Sequence, residues 1–247
     1  MSMPSQRRRP PIIPIPEKLN GPRALNGAFD IRTLFEYTDC DEEARTHQEA
    51  MRFLSEQFHI EVDSGYRKLR VEVADPLNRE LTRFRNVFGT VGFIDKVIVD
   101  SPSLPSNADA GYEPNIHALL LRSDYQEPAT DVKRLKVRGE PVAYQRSTGS
   151  SSHVYRHEIA HSFYHFVVQR VDSDAAARAK ELHTLFFKER NGRLPKGIFL
   201  LSKYAQDSEK EMFAETVAQI MDKGAQSSFA CAVVKYVIFG GNINDFK

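Results

Sequence analysis

His153-Val154-Tyr155-Arg156-His157-Glu158-Ile159-Ala160-His161-Ser162-Phe163 carries two histidines four residues apart, with a glutamate directly after the first. A helix rises about 1.5 Å per residue, so side chains at i and i+4 leave neighbouring points of one face. Two imidazoles so placed can converge on one metal ion, and Glu158 between them can reach a water bound to that ion. The stretch predicts a helix with Val154, Ile159, Ala160, Phe163, Phe166 and Val167 as its apolar residues. Ser150, Ser151 and Ser152 offer themselves as its caps.

His153 and His165 extend the same spacing in both directions. Geometry argues against one ion using the whole ladder. His157 and His165 lie about 12 Å apart along an unbroken helix, whereas a Zn–N bond is about 2.1 Å. Each four-residue step also turns the side chain by about 40°. His153 and His165 are therefore expected to be ordinary helix residues, or at most neighbours of the ligands. Catalytic zinc takes three protein ligands and keeps a fourth position for water. One more ligand has to come from elsewhere.

A later acidic segment can supply it: Tyr204-Ala205-Gln206-Asp207-Ser208-Glu209-Lys210-Glu211-Met212-Phe213-Ala214-Glu215. Most Glu-rich helices are read as solvated acidic faces. Here Glu211 is followed by Met212, Phe213 and Ala214, a stretch that suits a buried helix. The segment comes late enough for the chain to return through the core. Glu211 and Glu215 fall one turn apart, and Tyr204 stands where it can face the same site. Glu209 and Asp207 are weaker candidates for the third ligand.

Tyr204, Glu211 and Glu215, with the Phe-Ala-Glu ending, resemble the zinc peptidase family of anthrax lethal factor. That family follows its His-Glu-x-x-His with a Ser-Tyr-Gly-x-x-x-x-x-Glu-Phe-Phe-Ala-Glu type motif. Here the counterpart is Ser202-Lys203-Tyr204-Ala205, then Glu211-Met212-Phe213-Ala214-Glu215. Lys203 intervenes between serine and tyrosine, and Ala205 replaces the glycine. The resemblance spans roughly residues 150 to 225. It implies that His157, His161 and Glu211 hold Zn2+ and that Glu158 is the general base. It further implies that Tyr204 donates its hydroxyl to the oxyanion and that Glu215 orients a ligand histidine. Each role is sound chemically: a carboxylate beside zinc can deprotonate the bound water, and metal-bound imidazoles usually donate their second N–H to a carboxylate.

The rest of the chain is compatible with that chemistry. Its 247 residues suffice for a sizeable core, and 41% apolar with 27% charged residues is the balance of a soluble globular protein. A formal net charge of +1 supplies no global field for nucleic acid or an anionic membrane, and neither is an expected partner. No apolar run approaches the roughly 18 residues of a membrane span. Cys40 and Cys231 cannot form a disulfide framework and are expected to be free thiols, which fits a reducing compartment.

Along the chain, Asp41 to Phe58 reads as an amphipathic helix with Asp41 as its cap. His59 to Val62 and Lys68 to Val73 alternate with period two and read as strands. Pro76 to Phe88 reads as a helix, Phe93 to Val99 and Ile116 to Leu121 as strands, and Ser101 to Glu113 as a long loop. Val132 to Val137 and Val142 to Gln145 suggest a further strand or ribbon. Helices are expected over Ser173 to Lys188, Ser208 to Met221 and Phe229 to Phe239, with a turn at Asn191-Gly192 and a short apolar run at Ile198 to Leu201. An extended substrate is expected to pair with an edge strand, either His117 to Arg122 or Val142 to Gln145.

Residues 1–22 are rich in Pro and Arg and are expected to be a disordered tail. Prolines interrupt its apolar run, so the start does not read as a Sec signal. Arg7, Arg8 and Arg9, then a proline spacer and Ile12, Ile13 and Ile15, resemble the docking motif that binds mitogen-activated protein kinases. Host kinase docking is thus one expectation for the tail, and a solubilising role is the other. The whole reads as an α+β chain: the tail, then one zincin-like metallopeptidase domain over 23–247, with a small N-terminal mixed sheet and a C-terminal helical block. The expectation is a monomeric zinc metalloendopeptidase that cleaves a protein or peptide. It would work in the cytosol of the producing cell, or in a host cytosol as a toxin-like virulence effector secreted by a non-Sec route onto host signalling proteins. The rival readings are a housekeeping or phage-associated zinc hydrolase and a degenerate zincin that only binds.

Overall fold

The computed structural model describes residues 46–106, 108–123, 152–187, 203–221 and 228–246. Helix α1, His47–Phe53, starts from Thr46. The Glu49 N–H donates to Thr46 Oγ1 at 3.2 Å, and the Thr46 N–H donates to Glu49 Oε2 at 3.0 Å. This reciprocal box satisfies two amides that a helix start leaves unpaired. Strand β1, Glu61–Val62, is followed by a 3-10 turn at Ser64–Lys68 and the long helix α2, Val71–Phe88. Strands β2 (Lys96–Val99), β3 (Ala110–Glu113) and β4 (Ala118–Leu121) complete the sheet. Helices α3 (His153–Phe166), α4 (Ala175–Phe187), α5 (Glu209–Met221) and α6 (Ser228–Phe239) follow. The architecture is α+β.

The sheet order is β1-β2-β4-β3. β2 pairs in parallel with β1 and β4, and β3 pairs antiparallel to β4, with Ala110 opposite Leu121. The pleat sorts the residues: Val97, Val99, Leu119, Leu121 and Ala110 join the main core with α2 and α3. Ala118, Leu120 and Leu104 form a small cluster on the other side, with Ile98 packed against it. β4 is buried at every residue because both of its faces are covered. Between the helices, Phe163 of α3 stacks near Phe88 of α2, with centroids 4.5 Å apart, and near Phe213 of α5 at 6.2 Å. These rings seat α3 between α2 and α5.

Several expectations change. The first helix begins at His47 on Thr46, not at Asp41, which lies outside the described residues. Lys68 to Val73 is not a strand: the turn runs through Lys68, and α2 starts at Val71, before Pro76. Val73, Leu77, Leu81 and Phe84 are all buried at helical spacing, with Leu69 buried just before the helix, and that burial overrides the local alternation. The strands are shorter than read, and the expected loop of Ser101 to Glu113 contains β3. β4, within His117 to Arg122, is paired on both sides, so it cannot be an edge strand. The described edges are β1 and β3. The tail, Cys40, the 132–145 segments, Asn191-Gly192 and Ile198 to Leu201 lie outside the described residues. Cys231 is buried, and no helix among the described residues is long and apolar enough to cross a membrane.

Candidate metal centre

Helices α3 and α5 meet through an alternating series of imidazoles and carboxylates. His161 Nε2 lies 3.3 Å from Glu211 Oε2, which lies 2.9 Å from His157 Nε2. His157 Nδ1 lies 2.8 Å from Glu215 Oε1, which lies 2.9 Å from His153 Nε2. As numbers rise along α3 they fall along α5, so the two helices run antiparallel at this contact. Two i, i+4 patterns on facing helices thus interlock. α5 is buried from Met212 to Met221, and its start is fixed by Ser208, whose Oγ accepts the Glu211 N–H at 3.2 Å.

His157 Nε2, His161 Nε2 and Glu211 Oε2 form a triangle, with 3.0 Å between the two nitrogens. A tetrahedral zinc with bonds of about 2.0–2.1 Å holds its ligand atoms about 3.3 Å apart, so the triangle needs little adjustment. Protons fit it less well. A nitrogen either donates or accepts, so N–H groups can bridge at most two of the three edges. The third edge then sets two like groups face to face. A dication at the centre satisfies all three lone pairs, and two imidazoles with a carboxylate are a donor set that zinc takes. The residues fit the metal.

The electrostatics of the site follow from its burial. Burial alone would lower the His157 imidazolium, but hydrogen bonds to Glu211 and Glu215 and the charges of Glu215 and Glu158 hold it well above 6.5. Burial would raise Glu211, yet its bonds to His157 and His161 bring it down to about 2. Glu215, opposed by burial and supported by His153 and His157, stays well below the usual carboxylate range. Metal-ligating groups must be deprotonated, and the carboxylates are so poised.

Other contacts fix α3. Tyr155 donates its hydroxyl to the Val73 carbonyl of α2 at 2.8 Å. Arg156 donates Nε and Nη2 to the two oxygens of Glu80, at 2.8 and 2.9 Å. Arg83 joins at 2.7 Å. On the sheet side, Gly92 has φ +81, and a Cβ there would fall 2.5 Å from the Ser162 carbonyl. The loop therefore lies directly on the helix backbone, where Ser162 Oγ also donates to the Val91 carbonyl at 3.2 Å.

Tyr204 sits in a 3-10 turn, Lys203–Gln206, just before α5, with its ring 5.7 Å from that of His157. His183 of α4 tethers the turn by donating to the Gln206 carbonyl at 3.0 Å. Burial, with the charges of Glu211, Glu158, Asp207 and Glu215, pushes the phenol up to about 12, so it keeps its proton as a donor. Glu158 is half-buried, and its charge reaches both His157 and Tyr204. Among the described residues, Asp207 and Glu209 belong to neither donor cluster. His165 belongs to neither donor cluster and meets Tyr112 at 3.4 Å and the rings of Phe93 and His117. Ser152 precedes α3 without a side-chain cap bond.

Sequence reasoning passed over Glu80 and Gly92, and it left His153 as an ordinary helix residue or at most a neighbour of the ligands. His153 carried a usable signal: it stands one turn before His157, as Glu215 stands one turn after Glu211. Glu80 and Gly92 carry none, because their partners are far away in the chain. No family model matches this chain, and neither does any curated protein or solved structure. The likeness to the lethal factor family therefore rests on the motif residues.

Proposed function

We propose that this chain is a zinc-dependent endopeptidase, with His157, His161 and Glu211 as the metal ligands and Glu158 as the general base. The observation that carries the reading is the triangle of three donor atoms 2.9, 3.0 and 3.3 Å apart. When bound, zinc lowers the pKa of a coordinated water to about 7 and polarises a carbonyl. Glu158 takes the proton of the attacking water and delivers it to the leaving amine. Tyr204 donates its O–H to the oxygen on which negative charge develops, a bond stronger in the transition state than in the ground state. Glu215 holds the His157 Nδ1–H, which leaves Nε2 as the free lone pair.

The substrate proposed is an extended segment of protein, paired with the outer edge of β3. Among the described residues that strand is a sheet edge, and its Tyr112 reaches His165 of α3. A host signalling protein, cleaved by a secreted effector, is the substrate class that the lethal factor resemblance suggests. Metal analysis of the purified chain beside Glu158→Gln tests the reading. One zinc per chain is expected in both, with peptide cleavage in the wild type alone. A wild type that takes up no zinc overturns it, and zinc without cleavage of any protein in a lysate would leave a binding protein.

A further inference from the structure

We propose that His153 is a positioning residue for the ligand His157, acting through a single oxygen of Glu215. The inference rests on the zinc reading above and goes beyond it, because His153 touches neither the metal triangle nor a substrate. Oε1 of Glu215 lies 2.9 Å from His153 Nε2 and 2.8 Å from His157 Nδ1. Glu215 is 0% exposed and His153 2%. A carboxylate oxygen offers two lone pairs, so it can accept from both rings at once.

The helix gives this arrangement its rigidity. His153 and His157 stand on successive turns of α3, about 6 Å apart along the axis. An oxygen bonded to both is pinned between two rungs and cannot swing away from His157. Loss of the His153 bond removes one restraint on the carboxylate's terminal torsion, which is broad for glutamate. The His157 ring would then lose its orientation and the tautomer that presents Nε2 to the metal. His153 also supplies a donor to a carboxylate cut off from water, where each missing hydrogen bond is costly.

The same three residues form a second group within metal-ligating reach. The hydrogen-bonded arrangement is favoured, because two N–H donors on one carboxylate oxygen account for both short distances. A second ion here would have to share the His157 ring with the first.

The test compares His153→Leu with His153→Gln in the full chain, by zinc competition against a chromophoric chelator. Gln keeps an N–H donor near the position of Nε2, and Leu removes it. Zinc affinity should fall about ten- to a hundredfold in the Leu variant and recover most of the way in the Gln variant. The visible bands of the cobalt-loaded protein should shift in Leu and not in Gln. If the Leu variant does not fold, 15N-labelled histidine in the zinc-loaded wild type decides. Protons on His153 Nε2 and His157 Nδ1 are expected, and an unprotonated His153 Nε2 overturns the inference. Equal zinc affinity in the wild type and Leu variant overturns it alone and leaves the zinc reading standing. Two zinc ions per wild-type chain also overturn it, by placing a metal where the hydrogen bonds are assigned. A wild type without zinc removes both readings.

Discussion

Arg156 and Glu80 form a bidentate ion pair in the interior, at 2.8 and 2.9 Å, with the two side chains only 4% and 2% exposed. The pair joins α2 to α3 at the residue next to His157. Such a pair adds little net stability over an apolar one, but removing Glu80 withdraws the bidentate counter-charge from a buried guanidinium. Glu80→Leu is therefore expected to destabilise the protein by about 3–5 kcal/mol. Urea denaturation monitored by circular dichroism measures it, and a change under about 1 kcal/mol would show that water reaches Arg156 freely.

Tyr204 gives the second prediction. Its phenol is pushed up to about 12, its ring lies 5.7 Å from His157, and its side chain is partly open to solvent. Tyr204→Phe keeps the ring and removes the donor. Loss of one oxyanion donor is expected to lower kcat by about 10²–10³-fold, with zinc content unchanged. Loss of zinc along with activity would make Tyr204 a support of the ligands instead.

The third prediction concerns pH, and its sign follows from the direction of each shift. In the metal-free protein, His157 is held above its usual 6.5, so its contribution is full below that value and is lost as pH rises through the folded pKa. Glu211 and Glu215 are held low, so theirs is present above about 4.3 and is lost as pH falls, for Glu211 towards about 2. Metal-free protein should thus be more stable at pH 5.5 than at pH 8.5. Zinc has to displace the His157 proton, so its affinity should rise over the same interval. Thermal denaturation with and without chelator at the two pH values checks both. Zinc should raise Tm more at pH 8.5, and a larger rise at pH 5.5 would contradict the assignment of His157.

The helices that build the site are readable because their signals are local. His157 and His161, and Glu211 and Glu215, share helix faces by spacing alone, and Met212 to Ala214 mark burial beside the acids. Lys68 to Val73 misleads because a six-residue alternation fits both periods, and only the packing of Leu69 and Val73 beside Leu77 decides between them. β3 is missed because Ala110-Gly111-Tyr112-Glu113 lacks strand-forming character except at Tyr112, and its partner β4 supplies the order. Which of the ladder histidines meets which glutamate depends on how α3 and α5 are offset, and α3 itself is seated by Arg156, Tyr155 and Gly92, whose partners are far away in the chain.

Gly92 therefore carries the last prediction. At φ +81 a residue with a side chain is strained by about 1–2 kcal/mol. Gly92→Ala would add a Cβ 2.5 Å from the Ser162 carbonyl oxygen and 2.6 Å from the Phe163 nitrogen. Backbone on both sides cannot swing aside as a side chain can, so α3 has to move, and overpacking of this kind adds about 1–3 kcal/mol. Gly240→Ala supplies the control, since its φ of +76 is nearly the same but the nearest atom, Arg178 Cδ, is 3.9 Å away. Gly240→Ala should show the backbone strain alone, and Gly92→Ala the strain plus the overlap. Because Ser162 follows His161, displacing that turn should also weaken zinc binding, which Gly240→Ala should leave intact. Equal destabilisation in the two variants, with zinc affinity unchanged in both, would show that the loop yields and the helix does not.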